Sequence, residues 1–340
     1  MKKLMLACLF VLVVPSLTAT TGVDYFHSDW EVAKKAAEQQ GKPIYVHFTT
    51  EWCGWCRRIE EDVYQNPEGK KALEPFVPVS LDCTVRDKEG QELQEARANK
   101  KLMQKWGGQG YPYLVQVTPE GVVFNSWSGY QPVPRFTEEL KGALKSLEQF
   151  QAFQEKAKTA DPDSYGFNVE AMEVYSGVQQ HEKALDAAGK VLELDPDNQR
   201  NNAAQAAMIR MQSLQKLGKS DQVHQALQRV QQFDPNNEKG LWEKATLAYA
   251  SGKLRSARTT PPAERSKGFQ RAIAALENLT GADAELEQAQ RSHLFLGILY
   301  AHKGSKQKAV STLEDAAAID PDTRQAQYIQ RILDQLKKTQ

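Results

Sequence analysis

Near residue 150 the hydrophobic pattern of this 340-residue chain changes period. Upstream, short β-branched and aromatic runs alternate with amphipathic stretches. Downstream the strand-like runs disappear, and Ala, Gln, Leu and Glu dominate. Side chains repeat every two residues along a strand and every 3.6 along a helix, so the change separates an α/β region from an all-helical one. At roughly 100–200 residues per domain, the length agrees with two domains. The expected division is a leader over 1–19, a first domain over 20–150 and a second over 151–340. Charge adds an exclusion. The 43 Lys and Arg balance 43 Asp and Glu, whereas nucleic-acid and polybasic membrane binding both need a local excess of cation. Nucleic acid is therefore not an expected partner.

The leader reads as an export signal. Lys2 and Lys3 precede an apolar run from Leu4 to Val14, followed by Pro15 and the residues Ser16 to Ala19. That is the basic, apolar and cleavage-site order of a secretory signal peptide. The run is shorter than the about 20 residues a membrane helix needs, and Pro15, Thr18, Thr20, Thr21 and Gly22 extend it poorly. The expectation is an exported chain, periplasmic or secreted, with no stable membrane span once the signal is cleaved. Cys8 leaves with the signal. Cys53, Cys56 and Cys83 would then face an oxidising compartment, where disulfides persist.

In the helical half, Asp-Pro-(Asp/Asn) recurs at Asp161, Asp195, Asp234 and Asp320. Proline after a helix forces a boundary, and the Asp beside it can cap the next helix, so these tripeptides mark joints between helical hairpins. Leu296, Gly297, Tyr300, Gly304, Ala309, Leu313, Ala316 and Pro321 form the clearest unit, with small residues where paired helices must approach. Tyr175, Ala184 and Pro196 form a sparser copy, Leu214, Gly218 and Pro235 a weak one, and Trp242, Ala245 and Tyr249 begin another. Arg255 to Lys267, with Pro261-Pro262, is expected to interrupt that copy as an exposed loop. These residues resemble the tetratricopeptide repeat. The resemblance implies three to four stacked hairpins over about 165–335 and a concave surface for a protein partner.

Before residue 150 the expected order is α-β-α-β-α-β-β-α. Trp30 to Gln40 is helical, Ile44 to Thr49 a buried strand, Cys56 to Gln65 and Pro67 to Glu74 a kinked helix, and Phe76 to Asp82 a second strand. A polar helix is expected over Glu89 to Trp106. Tyr113 to Val117 and Val122 to Trp127 flank a turn at 118–121, and a last helix runs from Arg135 to Phe150.

Trp52-Cys53-Gly54-Trp55-Cys56 sits where the first strand meets the next helix. A Cys at a helix N-terminus faces unpaired N–H groups, which stabilise its thiolate, and a second Cys three residues on lies one turn away. Cys53 is then the attacking thiol and Cys56 the resolving one. A purely structural disulfide and half a zinc site are the competing readings. Zinc needs a second Cys/His pair at suitable spacing, and only Cys83 and scattered histidines are available. Cys83 reads as a buried free thiol, with regulatory pairing to Cys53 or Cys56 as the other possibility.

On these residues, 24–150 resembles the thioredoxin superfamily, with W-C-G-W-C varying its W-C-G-P-C site. The resemblance implies that Pro112, in Gly110-Tyr111-Pro112-Tyr113, is the family's cis-proline, lying against the Cys pair, and that the Tyr111 backbone pairs with an extended substrate. Gly129 matches the glycine after the last strand. Two positions depart from the family pattern. Trp55 replaces proline, so the redox poise is not transferable. His47 stands where thioredoxins carry a buried acid. It is either a proton carrier for Cys56 with a pKa nearer neutral or a hydrogen-bonded core residue.

The expectation is an α/β thioredoxin-like domain followed by an all-α tetratricopeptide-like domain. Its expected activity is that of an exported thiol–disulfide oxidoreductase on protein disulfides, inclined towards reduction. Cys53, Cys56 and His47 would be catalytic, Trp52, Gly54, Trp55, Tyr111 and Pro112 substrate-binding, and no metal or dissociable cofactor is expected. The alternative is a scaffold in which the repeats are the function and the redox pair is incidental.

Overall fold

The computed structural model of the chain describes residues 25–86, 89–91, 93–279 and 286–338. The leader and Cys8 lie outside the described residues. Contacts divide the chain into two compact units after Leu147.

The first unit is built on a four-stranded sheet of order β2-β1-β3-β4. Its strands are β1 (Ile44–Thr49), β2 (Val77–Asp82), β3 (Tyr113–Val117) and β4 (Val123–Ser128). β1 pairs parallel with β2 and antiparallel with β3, and β3 pairs antiparallel with β4. Helix α1 (Trp30–Gln40) is capped by the Asp29 side chain, which accepts from the Val32 N–H, and ends at Gly41, whose φ of 62° breaks the helix. Alternation along β1 assigns its faces. Ile44, Val46 and Phe48 join Ala33, Ala37, Val79 and Val115 in one apolar layer. Tyr45 and His47 point to the other face, where Tyr45 meets Phe136, Trp127 and Tyr64.

Helix α2 (Gly54–Ile59) begins directly after Cys53, continues as a π-helical turn over Glu60–Tyr64, and is followed by α3 (Pro67–Leu73). The Gln65 N–H reaches back to the Glu60 carbonyl, the five-residue spacing that defines the π turn. Gly69 makes it possible: a Cβ there would lie 2.0 Å from the Val63 carbonyl oxygen.

Two boundaries differ from expectation here. The polar helix is α4 (Gln94–Lys105), not 89–106. Gly90, at φ 83°, and the hydrogen bond from Leu93 N–H to the Val85 carbonyl close a loop ahead of it. The last helix, α5, is longer than expected, spanning Val133–Ala157.

Among the described residues of the second unit, sequential helices pack in four pairs: α6 (Tyr165–Gly177) with α7 (His181–Leu194), α8 (Ala203–Lys216) with α9 (Ser220–Phe233), α10 (Leu241–Ser256) with α11 (Pro262–Leu279), and α12 (Leu286–His302) with α13 (Lys306–Ile319). Helix α14 (Arg324–Lys338) comes last. Of the Asp-Pro joints, Asp234 caps the helix that follows it, whereas Asp195 ties down the turn ahead of α8. The buried Asp195 carboxylate accepts from Gln199 and Arg200 N–H, and Asp234 accepts from Lys239, Leu241 and Trp242 N–H. Gly297 lets α12 and α13 touch, since a Cβ there would lie 2.6 Å from Leu313 Cγ. The loop expected over 255–267 shrinks to a short connection over 257–261. Pro262 opens α11 instead, because its missing N–H and fixed φ suit a first helical turn.

Candidate active site

β1 delivers the chain to residue 50, where it turns. Cys53 N–H donates to the Thr50 carbonyl, and Cys53 becomes the N-cap of α2. Its sulfur accepts from the Cys56 N–H at 3.1 Å. Cys53 and Cys56 are joined as a disulfide with Cα atoms 5.2 Å apart. Both are recessed, Cys53 5% and Cys56 1% exposed.

The sheet supports this turn from below. The Asp82 carboxylate accepts from the Thr84 hydroxyl at 2.6 Å, and the Thr84 oxygen accepts from Glu51 N–H at 2.9 Å. The Asn99 amide of α4 donates to the Asp82 carbonyl. Cys83, between them, is a buried free thiol. Burial pushes its pKa up to about 12, and the thiol lies against the Tyr111 hydroxyl. A thiol held protonated is a poor nucleophile.

The structure brings Tyr111 to the Cys loop: its ring meets that of Trp52 edge-on at 5.6 Å. The Tyr111–Pro112 bond is cis. Gly129, at φ 91°, donates its N–H to the Pro112 carbonyl and so ties this loop to the end of β4. Gly54 is exposed, and a Cβ there would meet only Arg57 Nη2 at 3.9 Å, so the residue itself puts no side chain over Cys53. Trp52 and Trp55 are the most exposed large apolar side chains of the unit after folding, at 69% and 58%.

His47 is fully buried on β1, between Ser80 of β2 and Leu114 of β3, with its ring against Tyr64 of the π turn. Both ring nitrogens lack a hydrogen-bond partner. The expected pKa nearer neutral is not what this position gives. Burial alone drives it down to about 3, because a buried imidazolium loses its hydration. Glu60, unremarked in the sequence, lies with its carboxylate 3.9 Å from His47 Nδ1. Burial raises the Glu60 pKa, with Glu61 adding to the rise and Arg57 opposing it. Its position four residues after Cys56, one helical turn on, was the available signal. Tyr130 and Asp62 were also missed. Tyr130 lies tilted against Trp55 with ring centres 5.9 Å apart and donates to Asp62 at 3.0 Å.

A redox-type disulfide at a strand–helix junction, beside a cis-proline loop, defines the class of the first unit. Residues 30–144 are a thioredoxin-like domain, and residues 290–323, within the all-helical unit, are a tetratricopeptide repeat. Among curated proteins, the thiol:disulfide interchange protein DsbD 2 of Pseudomonas aeruginosa is 27% identical over 86 residues. The match covers 25% of this chain and 13% of that protein, so the chain spans a small part of its relative's length. Among solved structures, a DsbH oxidoreductase is 24% identical, covering 38% of this chain and 92% of its own with a TM-score of 0.31. The oxidised C-terminal domain of DsbD from Neisseria meningitidis is 19% identical over 33% of this chain and 94% of its own, with a TM-score of 0.28. YrrB, a TPR protein with an unusual peptide-binding site, is 18% identical, covering 58% of this chain and 89% of its own at a TM-score of 0.40. No helix among the described residues is long and apolar enough to cross a membrane.

Proposed function

We propose that the chain is an exported thiol–disulfide oxidoreductase acting on protein disulfides, working as a reductase, with its repeat unit holding a protein partner or substrate. The observation that carries this is Cys53 at the start of α2, bonded to Cys56 and flanked by exposed tryptophans. In the reduced protein the Cys53 thiolate attacks one sulfur of a substrate disulfide. That S–S bond breaks, and the departing sulfur takes up a proton. Cys56 then attacks Cys53 Sγ, the second substrate sulfur leaves as a thiol, and the Cys53–Cys56 disulfide re-forms. The substrate gains two electrons and two protons, and a dithiol donor restores the pair. No dissociable cofactor enters.

His47 is the proposed acceptor of the Cys56 proton. The unprotonated nitrogen of its neutral ring has no other partner and can accept a proton, and a thiolate formed nearby favours the imidazolium that burial otherwise disfavours. Trp52, Gly54, Trp55, Tyr111 and Pro112 would line the substrate's approach. The basic, apolar and small-residue order of residues 2–19 supports export.

The test is reduction of insulin disulfides by the signal-free chain with dithiothreitol as donor. Turnover is expected, falling to the uncatalysed rate in Cys53→Ser. No turnover in the wild type, or none lost in the variant, overturns the proposal. A Cys53–Cys56 potential nearer about −270 mV than about −120 mV is expected for a reductase, and the opposite value reverses the direction.

A further inference from the structure

Trp55 stands in the dipeptide between the cysteines, and a side chain exposed by 58% has no packing of its own to fix it. Its neighbours supply the fixing. Arg58, one turn along α2, places its guanidinium 6.0 Å from the Trp55 ring centre and 5.7 Å from that of Tyr130. Arg58 Nε and the Tyr130 hydroxyl both donate to Asp62 Oδ2, at 3.1 and 3.0 Å. Gly129, with its positive φ, turns the chain out of β4 so that Tyr130 reaches this helix. Indole, phenol, guanidinium and carboxylate thus form one brace beside the disulfide.

The brace is also electrically balanced, since Asp62 answers the charge of Arg58. Arg57, the other cation of this turn, donates to the Glu51 carbonyl at 2.8 Å. The large exposed side chains of this loop are therefore aromatic: Trp52 seated on Tyr111 and Trp55 on Tyr130, with Cys53, 5% exposed, in the chain between the two tryptophans. A small charged disulfide gains little from indole faces, whereas apolar side chains beside a cystine on extended polypeptide are desolvated by them.

We propose that Tyr130, held by Asp62 and Arg58, is a positioning residue that fixes the Trp55 indole as one wall of an apolar slot over Cys53. The slot selects disulfides carried on extended polypeptide with aliphatic or aromatic neighbours. This rests on the oxidoreductase reading and names its substrate class.

The experiment compares two probes with the full signal-free chain. One is the disulfide-linked dimer of a Leu-Phe-Cys-Phe-Leu peptide and the other that of Ser-Gly-Cys-Gly-Ser. The wild type is expected to favour the apolar probe in kcat/KM by about two- to tenfold, the scale of one well-packed aromatic contact. Tyr130→Ala should bring the ratio close to unity, mainly through KM for the apolar probe. Tyr130→Phe, which keeps the ring and loses the Asp62 bond, should restore most of the preference. With 5-fluorotryptophan incorporated, the resonance assigned to Trp55 by Trp55→Phe should shift or broaden in Tyr130→Ala and recover in Tyr130→Phe. An unmoved probe ratio, or equal loss on both probes, overturns the slot while leaving thiol exchange intact. Failure of the wild type to reduce either probe overturns the oxidoreductase reading itself.

Discussion

The two units meet the demand for a dry interior with opposite materials. Across one face of the sheet, the first unit packs rings: Tyr45 meets Phe136 at 5.8 Å and Tyr64 at 6.0 Å, and the Tyr45 and Tyr64 hydroxyls bond to each other at 2.8 Å. The second unit packs methyl groups. Ala184, Ala188, Ala204, Ala207, Ala245 and Ala309 are buried to 0% and let helices close on one another. Its apolar residues form one long cluster running along the hairpins from Leu185 to Ala309, overlapped by smaller clusters from Phe153 to Ile209 and Leu294 to Leu333. Rings gathered around Tyr45 tie β1, β4 and α5 to the π turn that continues the disulfide-bearing helix, whereas stacked hairpins touch only their neighbours. A disturbance within the ring cluster should therefore reach the reactive site, and one in a hairpin should stay local.

The largest expected effect comes from Gly69→Ala. The new methyl meets the Val63 carbonyl, which is backbone and cannot swing away. The π turn must shift, and with it Glu60 and Tyr64 around His47. A loss at the upper end of overpacking costs, about 3 kcal/mol, is expected in urea unfolding followed by tryptophan emission. Five of the six tryptophans lie before residue 150, so emission reports mainly the first unit. Hydrogen exchange should rise through α2 and β1 and stay unchanged in α12 and α13. Protection lost equally in both units would end the contrast.

A second contrast lies in how each unit buries an imidazole. His47 is held down to about 3 and His181, beside Lys216 and less deeply buried, to about 4. Both native pKa values lie below the unfolded value of about 6.5, so below that pH the unfolded chain takes up protons the folded one excludes. Stability thus falls as pH drops from about 6.5 towards the native value, by up to about 1.4 kcal/mol per pH unit for His47. Glu60, with its raised pKa, acts in the opposite sense near its own titration. His47→Leu should flatten the acid slope of tryptophan-monitored unfolding between pH 6 and 4 and leave that of helix ellipticity from the second unit. An unchanged slope in the first unit would mean that His47 is solvated in a way its burial denies.

Periodicity made the element order readable because strands and helices impose their periods locally. The strand–CxxC–helix junction and the Asp-Pro joints were readable for the same reason. What escaped reading was set by atoms far apart in sequence. The π turn has no compositional mark; it exists because Gly69 yields room to the Val63 carbonyl. The low His47 pKa arises from two flanking strands and Tyr64 closing over one residue, which no window around His47 contains. Tyr130 meets Trp55 only because Gly129 turns the chain after β4. Pro261-Pro262 misled in the other direction, since a breaker inside a helix is a starter at its first turn.

The smallest effect tests the same logic where it predicts tolerance. At Gly252 of α10 a Cβ would lie 1.5 Å from Gln215 Nε2, nearer than the Val63 oxygen is to the position at Gly69. Distance alone would make Gly252→Ala the more damaging change. The obstacle, however, is the far end of a flexible, half-buried amide whose one bond here is to the Ala248 carbonyl at 3.2 Å. Gln215 can swing to water, and alanine gains helix propensity over glycine in a helix interior, worth about 1 kcal/mol. Losing the amide bond costs about the same. The two changes should nearly cancel, leaving unfolding of the second unit within about 1 kcal/mol of wild type by ellipticity. A loss matching that of Gly69→Ala would show that the second unit is as intolerant of overpacking as the ring-packed first.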